Sequence, residues 1–401
     1  MQTVQGNVPL IMRILLLGEY SNVHWTLAEG LRTLGHEVTV LSNGDFWKNY
    51  PRNINLTRKP TKLGGIAYMA KLLTILPRLR NYDIVQLINP MFLELKAERI
   101  FPVYNYLRRH NRKVVLCAFG MDYYWVNTCI TAMPLRYSDF NVGKELRTNK
   151  DATDYRNGWI GTAKERLNRY IAEDCDAIVT GLYEYDVCYR PSFPNKTTFI
   201  PFPIKMPASA ESRSTEICQD KPGDRRSHKC SDEKRKNSPI RLFVGINTER
   251  NAYKGTDIML AAAEDVARKY PGKIEIVKAY SVPFEQYSEM MKSSDIILDQ
   301  LYSYTPGMNA LLAMSNGIVV VGGGEPENYE IIDENELRPI INVAPNYESV
   351  YSELERIALH AEEIAELKCQ GVEYIRKHHD YVKVARKYEA LYLTLGEPAH
   401  S

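Results

Sequence analysis

The stretch 295–317 limits most sharply what this chain can become. Its apolar run, Ile296-Ile-Leu298, is too short for a helix and has no polar alternation, so it reads as a strand buried on both faces of a parallel sheet. The run stops at Asp299-Gln300 and gives way to a loop of Tyr, Ser, Thr, Pro and Gly. A short helix over 308–314 follows and ends at Asn316-Gly317. A second buried strand, 318–321, meets the triple glycine Gly322-Gly-Gly324 and the acidic loop Glu325-Pro-Glu-Asn-Tyr-Glu330. In open α/β sheets ligands collect beyond the carboxyl ends of the strands, near helix N-termini. Two successive strands ending in such loops make this the expected ligand site.

The same grammar opens the chain. A buried strand, 12–17, ends at Gly18; a loop, 19–24, leads into a helix over 25–34 with Leu27, Leu31 and Leu34 on one face; Gly35 stops it and 36–41 is the next strand. This is a βαβ unit, so a right-handed crossover and a parallel sheet are expected. Gly18 stands alone in its loop. The dinucleotide fingerprint GxGxxG is therefore absent, which disfavours NAD or FAD. Ser21, Asn22 and His24 are the side chains this loop offers instead; His24 reads either as a group facing a ligand or as a cap and packing residue. Helices over 63–80 and 92–110 flank a strand at 83–87. The strand 113–118 ends in Phe119-Gly-Met-Asp-Tyr-Tyr-Trp125, where Asp122 among aromatic rings suits a sugar and equally suits rim packing. The polar stretch 137–159 reads as an irregular lid, 163–172 as a helix, and 177–180 and 197–200 as the last strands. About six strands alternating with helices make one doubly wound domain over 12–206, after a tail at 1–11.

The segment 207–239 is rich in small polar and charged residues, has almost no large apolar ones, and reads as a flexible insertion. Its Cys218, His228 and Cys230 lack an evident fourth ligand, so no metal site is expected. From Ile240 a second α/β domain, 240–375, begins. The strand 240–244 ends at Gly245, and the loop 246–255 carries Arg250 and Lys254 into a helix over 256–270. Cations in a strand-to-helix loop, beside the positive end of a helix dipole, make a site for a phosphate group. A strand over 273–278 and a helix over 283–291 precede the central stretch. Helices over 353–365 and 370–393 close the chain, and the segment 376–401 is expected to reach back across the first domain.

The charges nearly cancel: 51 Lys and Arg against 49 Asp and Glu leave a net +2, with no nucleic-acid footprint. Seven cysteines, an odd count without a CxxC pair, point to a reducing compartment. The apolar run 8–17 is broken by Arg13 and too short to span a bilayer, so a cytoplasmic protein is expected. The basic, apolar stretch 58–80 reads either as peripheral contact with the inner face of an anionic membrane or as an ordinary packed helix.

In Ser21-Asn-Val-His24, Leu34-Gly-His-Glu-Val38, Asp122, Arg250 with Lys254-Gly255, 295–314 and 323–330, the chain resembles the retaining GT-B glycosyltransferases of family 4. The resemblance covers nearly all of 12–395, interrupted by 207–239. It implies two facing Rossmann-like domains with a cleft between them, the second holding a nucleotide-diphospho-sugar donor and the first a glycan or lipid-linked acceptor. It also implies a metal-independent hexosyltransfer in surface polysaccharide or glycoconjugate synthesis, with no further cofactor. Arg250 and Lys254 would clamp the departing diphosphate, with Asp122 and His24 as further catalytic candidates. Gly18, Gly245, Tyr304, Gly307, Met308, Asn309, Glu325, Glu327 and Glu330 are the candidate binding residues.

One departure stands out. The family carries two glutamates, with seven residues between them, in the loop and helix after the Asp295 strand; here Tyr304 and Leu312 occupy those places. Leu312 cannot accept a hydrogen bond from a ribose hydroxyl. Glu325, Glu327 or Glu330 taking over that role is one outcome and an unusual donor another. A catalytically inactive nucleotide- or glycan-binding partner subunit is a third. A GT-B sugar-nucleotide epimerase is a further alternative, and it would need an acid/base pair near the donor sugar.

Overall fold

The structure, a computed structural model, describes residues 11–207, 238–246, 251–280 and 282–396. Arg250 and the trio Cys218, His228 and Cys230 lie outside the described residues. The described chain builds two parallel sheets.

The first sheet contains β1 (Arg13–Leu17), β2 (Glu37–Ser42), β3 (Ile54–Asn55), β4 (Ile84–Leu87) and β5 (Lys113–Ala118). After a small antiparallel hairpin, β6 (Asn141–Val142) and β7 (Glu145–Leu146), come β8 (Ala177–Thr180) and β9 (Thr197–Phe199). The order is β3-β2-β1-β4-β5-β8-β9. The chain winds outward from β1 in one direction and from β4 in the other, which places the switch point between them. Ile14 to Leu17, Ile84 to Leu87 and Val114 to Ala118 are buried throughout, as strands covered on both faces must be.

The second sheet holds β10 (Ile240–Ile246), β11 (Ile274–Tyr280), β12 (Ile296–Leu298), β13 (Val319–Gly322) and β14 (Ile340–Asn342) in the order β11-β10-β12-β13-β14, each neighbouring pair parallel. Leu242, Val244, Ile296, Leu298, Val319 and Val321 share one core with Met259 and Val266 of the helix Thr256–Lys269 and with Leu354 and Ile357 of the helix Tyr347–Leu359. Parallel pairing brings the carboxyl ends of β10, β12 and β13 to one edge, and that edge carries the loops singled out in the sequence.

The chain divides into two compact units. One comprises Met1–Gly120, Arg166–Val179 and Tyr381–Ser401; the other comprises Met121–Glu165 and Thr180–Asp380. In the first unit the helix Tyr381–Gly396 is tied down by polar contacts, among them Arg112 Nη2 donating to Gly396 O at 2.8 Å. Glu389 meets His36 Nε2 at 3.1 Å, and the Tyr392 hydroxyl donates to Gln86 Oε1 at 2.6 Å. In the second unit Ile204 N donates to His379 O at 2.7 Å, and Ile204 bridges Asp380 in parallel.

Several expected elements are revised. The acidic loop after β13 is a helical turn, Pro326–Glu330, with proline at its first position, where no N–H is needed. The supposed irregular lid contains the β6–β7 hairpin and a helix, Lys150–Trp159, whose start Asn149 caps by accepting from Ala152 N at 3.0 Å. The helix expected over 353–365 instead runs Tyr347–Leu359, because Asn346 caps it by accepting from Ser349 N at 2.8 Å. The long helix expected over 370–393 is broken: Glu363–Tyr374 passes through a π-type turn, Ile375–His379, and the chain leaves helical geometry at Asp380 to meet Ile204. None of the five described cysteines forms a disulfide. No described helix is long and apolar enough to cross a membrane.

Candidate functional site

At the carboxyl edge of the second sheet three loops converge. The first follows β10. Its short helix Asn251–Lys254 is fixed at its end by Leu301 N donating to Lys254 O at 3.0 Å, so the Lys254 backbone is fastened to the segment leaving β12. The second loop follows β12 and runs to Gly307, which precedes the helix Met308–Ser315; no side chain caps that helix. Its first N–H groups carry the partial positive charge of a helix start. Asp299 stands between the two. Desolvation raises the pKa of its carboxyl, while the charge of Lys254 and the amide of Asn309 pull it back. Asn309 Nδ2 donates to the Tyr287 hydroxyl at 3.0 Å, and the Tyr287 ring lies against Gly245. The third loop leaves β13 through Gly323, where a Cβ would run into the carbonyl oxygen of Ser303; the second and third loops touch backbone to backbone.

Tyr304, Glu325 and Glu327 are brought together by a residue that sequence reasoning passed over. Arg136 donates to Glu325 Oε2 at 2.7 Å and to both oxygens of Glu327 at 2.6 and 3.0 Å. Its guanidinium lies 4.9 Å from the Tyr304 ring centroid, and its backbone N–H donates to the Tyr304 hydroxyl at 2.6 Å. The Tyr137 hydroxyl donates to the other oxygen of Glu325. Burial pushes the Glu327 carboxyl up, but its bonds to Arg136 outweigh that and leave it below the usual range. Tyr304 is almost fully buried, its phenol pushed up to about 12, mainly by that burial. Glu325 and Glu327 are thus engaged by Arg136 in this conformation. Glu330 is exposed at the far end of the helical turn and belongs to none of these bonds.

A second residue was missed. Glu184 is 4% exposed and inserts its carboxylate into the loop after β12. Oε1 accepts from Tyr304 N at 2.7 Å and Thr305 N at 3.0 Å and lies 2.9 Å from Ser303 Oγ; Oε2 accepts from Thr305 Oγ1 at 2.5 Å. The available signal was its position: Glu184 lies just past the carboxyl end of β8, at the start of the helix Tyr183–Tyr189.

The remaining calls fall elsewhere. Asp122, also in the second unit, is fully buried. It caps the helix Tyr123–Thr131 by accepting from Trp125 N at 2.8 Å and takes the Tyr189 hydroxyl at 2.7 Å on its other oxygen. Burial lifts its pKa to about 6, against those bonds. Its geometry is that of a structural cap. Gly18 and His24 belong to the first unit. Gly18 sits at φ 85° with Ile88 packed where a side chain would go. His24 is fully buried: Nδ1 donates to Gly18 O at 2.9 Å, which leaves Nε2 to accept from Gln86 Nε2 at 3.2 Å. Gln86 Oε1 in turn takes the Tyr392 hydroxyl. Protonating Nε2 would set two N–H groups head to head, so of its two readings His24 takes the packing one. Its neighbour Glu19 closes the turn by accepting from His24 N at 3.1 Å and Trp25 N at 2.8 Å, and burial pushes its carboxyl up to about 8.

Burial holds the His24 imidazole down at about 3, from the ordinary 6.5. The unfolded chain takes up a proton as the pH falls through 6.5, the folded chain only near 3. The stability linked to this group is therefore complete above pH 6.5 and is lost on the way down to pH 3. His24→Asn keeps a donor for Gly18 O and removes the titration. Melting temperatures measured from pH 7.5 to 4 should fall more gently for this variant than for the wild type; parallel curves would remove His24 from the acid limb.

The sequence matches no protein-family profile and no curated protein. Solved structures match over nearly the whole chain. HepE of Anabaena in complex with UDP and glucose matches at TM-score 0.55 and 11% identity, covering 96% of this chain and 100% of its own. The sucrose-phosphate synthase of Thermosynechococcus elongatus matches at TM-score 0.59 and 14% identity, covering 96% and 99%. WaaG, a glycosyltransferase involved in lipopolysaccharide biosynthesis, matches at TM-score 0.51 and 15% identity, covering 95% and 99%. A Listeria monocytogenes protein, provisionally named a UDP-N-acetylglucosamine 2-epimerase, matches at TM-score 0.51 and 11% identity, covering 95% of each chain. At such identities the likeness is one of fold, and with its seven- and five-stranded parallel sheets this chain has the architecture of the GT-B glycosyltransferases.

Proposed function

We infer that the protein is a glycosyltransferase that moves a sugar from a nucleoside-diphosphate sugar to a glycan or lipid-linked acceptor. The observation that carries this reading is the carboxyl edge of the second sheet, where Lys254 and the uncapped start of the helix Met308–Ser315 flank Asp299. A fixed ammonium and a row of backbone N–H groups suit a diphosphate. HepE was crystallised with UDP, which supports a uridine nucleotide as the first ligand to try. In the reaction the bond between the sugar anomeric carbon and the phosphate oxygen breaks and the nucleoside diphosphate leaves with the electron pair. The acceptor oxygen forms the new bond and passes its proton to the departing diphosphate. Lys254 and the helix start stabilise the charge that grows on the leaving group. Arg250, four residues earlier in the same loop, is the second cation of this clamp. Retention at the anomeric carbon, metal independence and a place in surface polysaccharide or glycoconjugate assembly complete the reading.

Leu312 favours a second reading, a subunit that binds nucleotide without turnover, because no carboxylate stands where the family holds the ribose. Titration calorimetry with UDP and GDP, combined with turnover assays over a panel of nucleotide sugars, separates the readings. Sugar transfer or hydrolysis supports the transferase, binding alone supports the subunit, and interconversion of nucleotide sugars supports an epimerase. A protein that neither binds these nucleotides nor turns over any of the sugars would overturn the inference.

A further inference from the structure

The helix Lys62–Ile75 is apolar on both sides but packed on only one. Tyr68, Leu72 and Ile75 are buried against the first unit, and Tyr68 OH accepts from Glu94 N at 3.2 Å. On the opposite face Leu63, Ile66 and Leu73 are 78%, 67% and 61% exposed, with Ala67 and Ala70 between them. The spacing i, i+3, i+7, i+10 puts Leu63, Ile66, Ala70 and Leu73 in one row along the helix. Thr61 caps the start by accepting from Gly64 N at 2.9 Å, so the helix is a finished element. An uninterrupted apolar row of this kind facing water marks an interaction surface.

The charges around it say what covers it. Between 57 and 82 the chain carries Arg58, Lys59, Lys62, Lys71, Arg78 and Arg80 and no Asp or Glu, and all six cations are exposed. Glu94, outside this stretch, accepts from the Arg58 backbone N–H at 2.9 Å, while the Arg58 guanidinium lies beside Gly65 at the start of the helix. A second copy docked face to face would bring these cations together without a carboxylate to pair them. A purely electrostatic partner would have no use for the apolar row. A helix of this length measures roughly 20 Å, too short to span a bilayer and suited to lying in its interface. We propose that the face formed by Leu63, Ile66, Ala70 and Leu73, with its surrounding Lys and Arg side chains, docks the protein on the surface of an anionic lipid bilayer. The apolar row sinks into the boundary between headgroups and acyl chains, and the cations sit among the phosphates. This does not depend on the reaction inferred for the second unit.

Flotation of the full chain with vesicles tests it, using phosphatidylcholine alone and phosphatidylcholine with about 30% phosphatidylglycerol. The wild type should float with the anionic vesicles and stay behind with the neutral ones, and added salt should weaken the association. The triple variant Leu63→Asn, Ile66→Asn, Leu73→Asn should lose at least about tenfold in partitioning. It should melt as the wild type does, since all three side chains are exposed. Ile66→Trp should shift its emission to the blue with anionic vesicles only. Three results would each overturn the proposal: no flotation of the wild type, equal flotation with neutral vesicles, or unchanged flotation of the triple variant. So would a concentration-dependent dimer that the triple variant abolishes, since the row would then cover a second copy.

Discussion

Lys254→Ala is expected to lower turnover of the sugar donor by about a hundred- to a thousandfold, the usual cost of removing one fixed group that meets developing charge. The backbone contact that holds this turn, Leu301 N to Lys254 O, survives the change, so the loop keeps its position and the loss belongs to the ammonium. A second consequence follows from the neighbour. Burial already raises the pKa of the Asp299 carboxyl, and Lys254 is the cation that opposes the rise. Without it Asp299 takes up a proton at higher pH than before, and nucleotide binding by the variant should change its pH dependence as well as its strength. Lys254→Arg, which keeps the charge but not the point geometry, should recover part of the rate. Single-turnover kinetics and UDP titrations on the three proteins check this. Wild-type rates for Lys254→Ala would take the cation out of the chemistry.

The parts that could be read in the amino-acid order are those whose physics is local. A strand covered on both faces has to be apolar throughout, so Ile14 to Leu17, Val114 to Ala118, Ile296 to Leu298 and Val319 to Val321 announced two parallel sheets. Two strands of these sheets escaped, as did the β6–β7 hairpin outside them. β3 has two residues, and the pairing residues of β14 include only two apolar ones, Ile340 and Ile341; neither is long enough to carry a pattern. The helix capped by Asp122 hid behind an aromatic run that could equally line a rim. The loops at the edge of the second sheet were legible because Gly307 and Gly323 mark turns whatever surrounds them. Their partners were not. Arg136 meets Glu325 and Glu327 across 189 and 191 residues, and Glu184 meets Tyr304 across 120. No periodicity encodes such pairings, since only the tertiary fold brings the residues together.

Glu184→Ala should strongly destabilise the second unit. It removes the acceptor for Tyr304 N, Thr305 N and Thr305 Oγ1 at once, in a place closed to water. Each buried donor left unsatisfied costs about 1–3 kcal/mol, so the three together amount to several kcal/mol and a melting temperature lower by roughly 10 °C. Glu184→Gln is the informative companion. It keeps the shape and one acceptor oxygen, and it turns an amide donor toward the Thr305 hydroxyl, which can rotate to accept it. Its fold should hold, while Ser303 to Thr305 loses charge-assisted bonds of roughly twice the ordinary strength. That loop abuts Gly323 on one side and leads to Gly307, the start of the helix proposed to face the diphosphate, on the other. Loosening it should weaken UDP binding by about tenfold, the size of one such bond, with a larger effect on KM than on kcat. A merely structural Glu184 would lower the melting temperature and leave the affinity of the folded fraction unchanged. Affinity falling in Glu184→Gln at a nearly native melting temperature is the result that makes it a positioning residue for the donor loop.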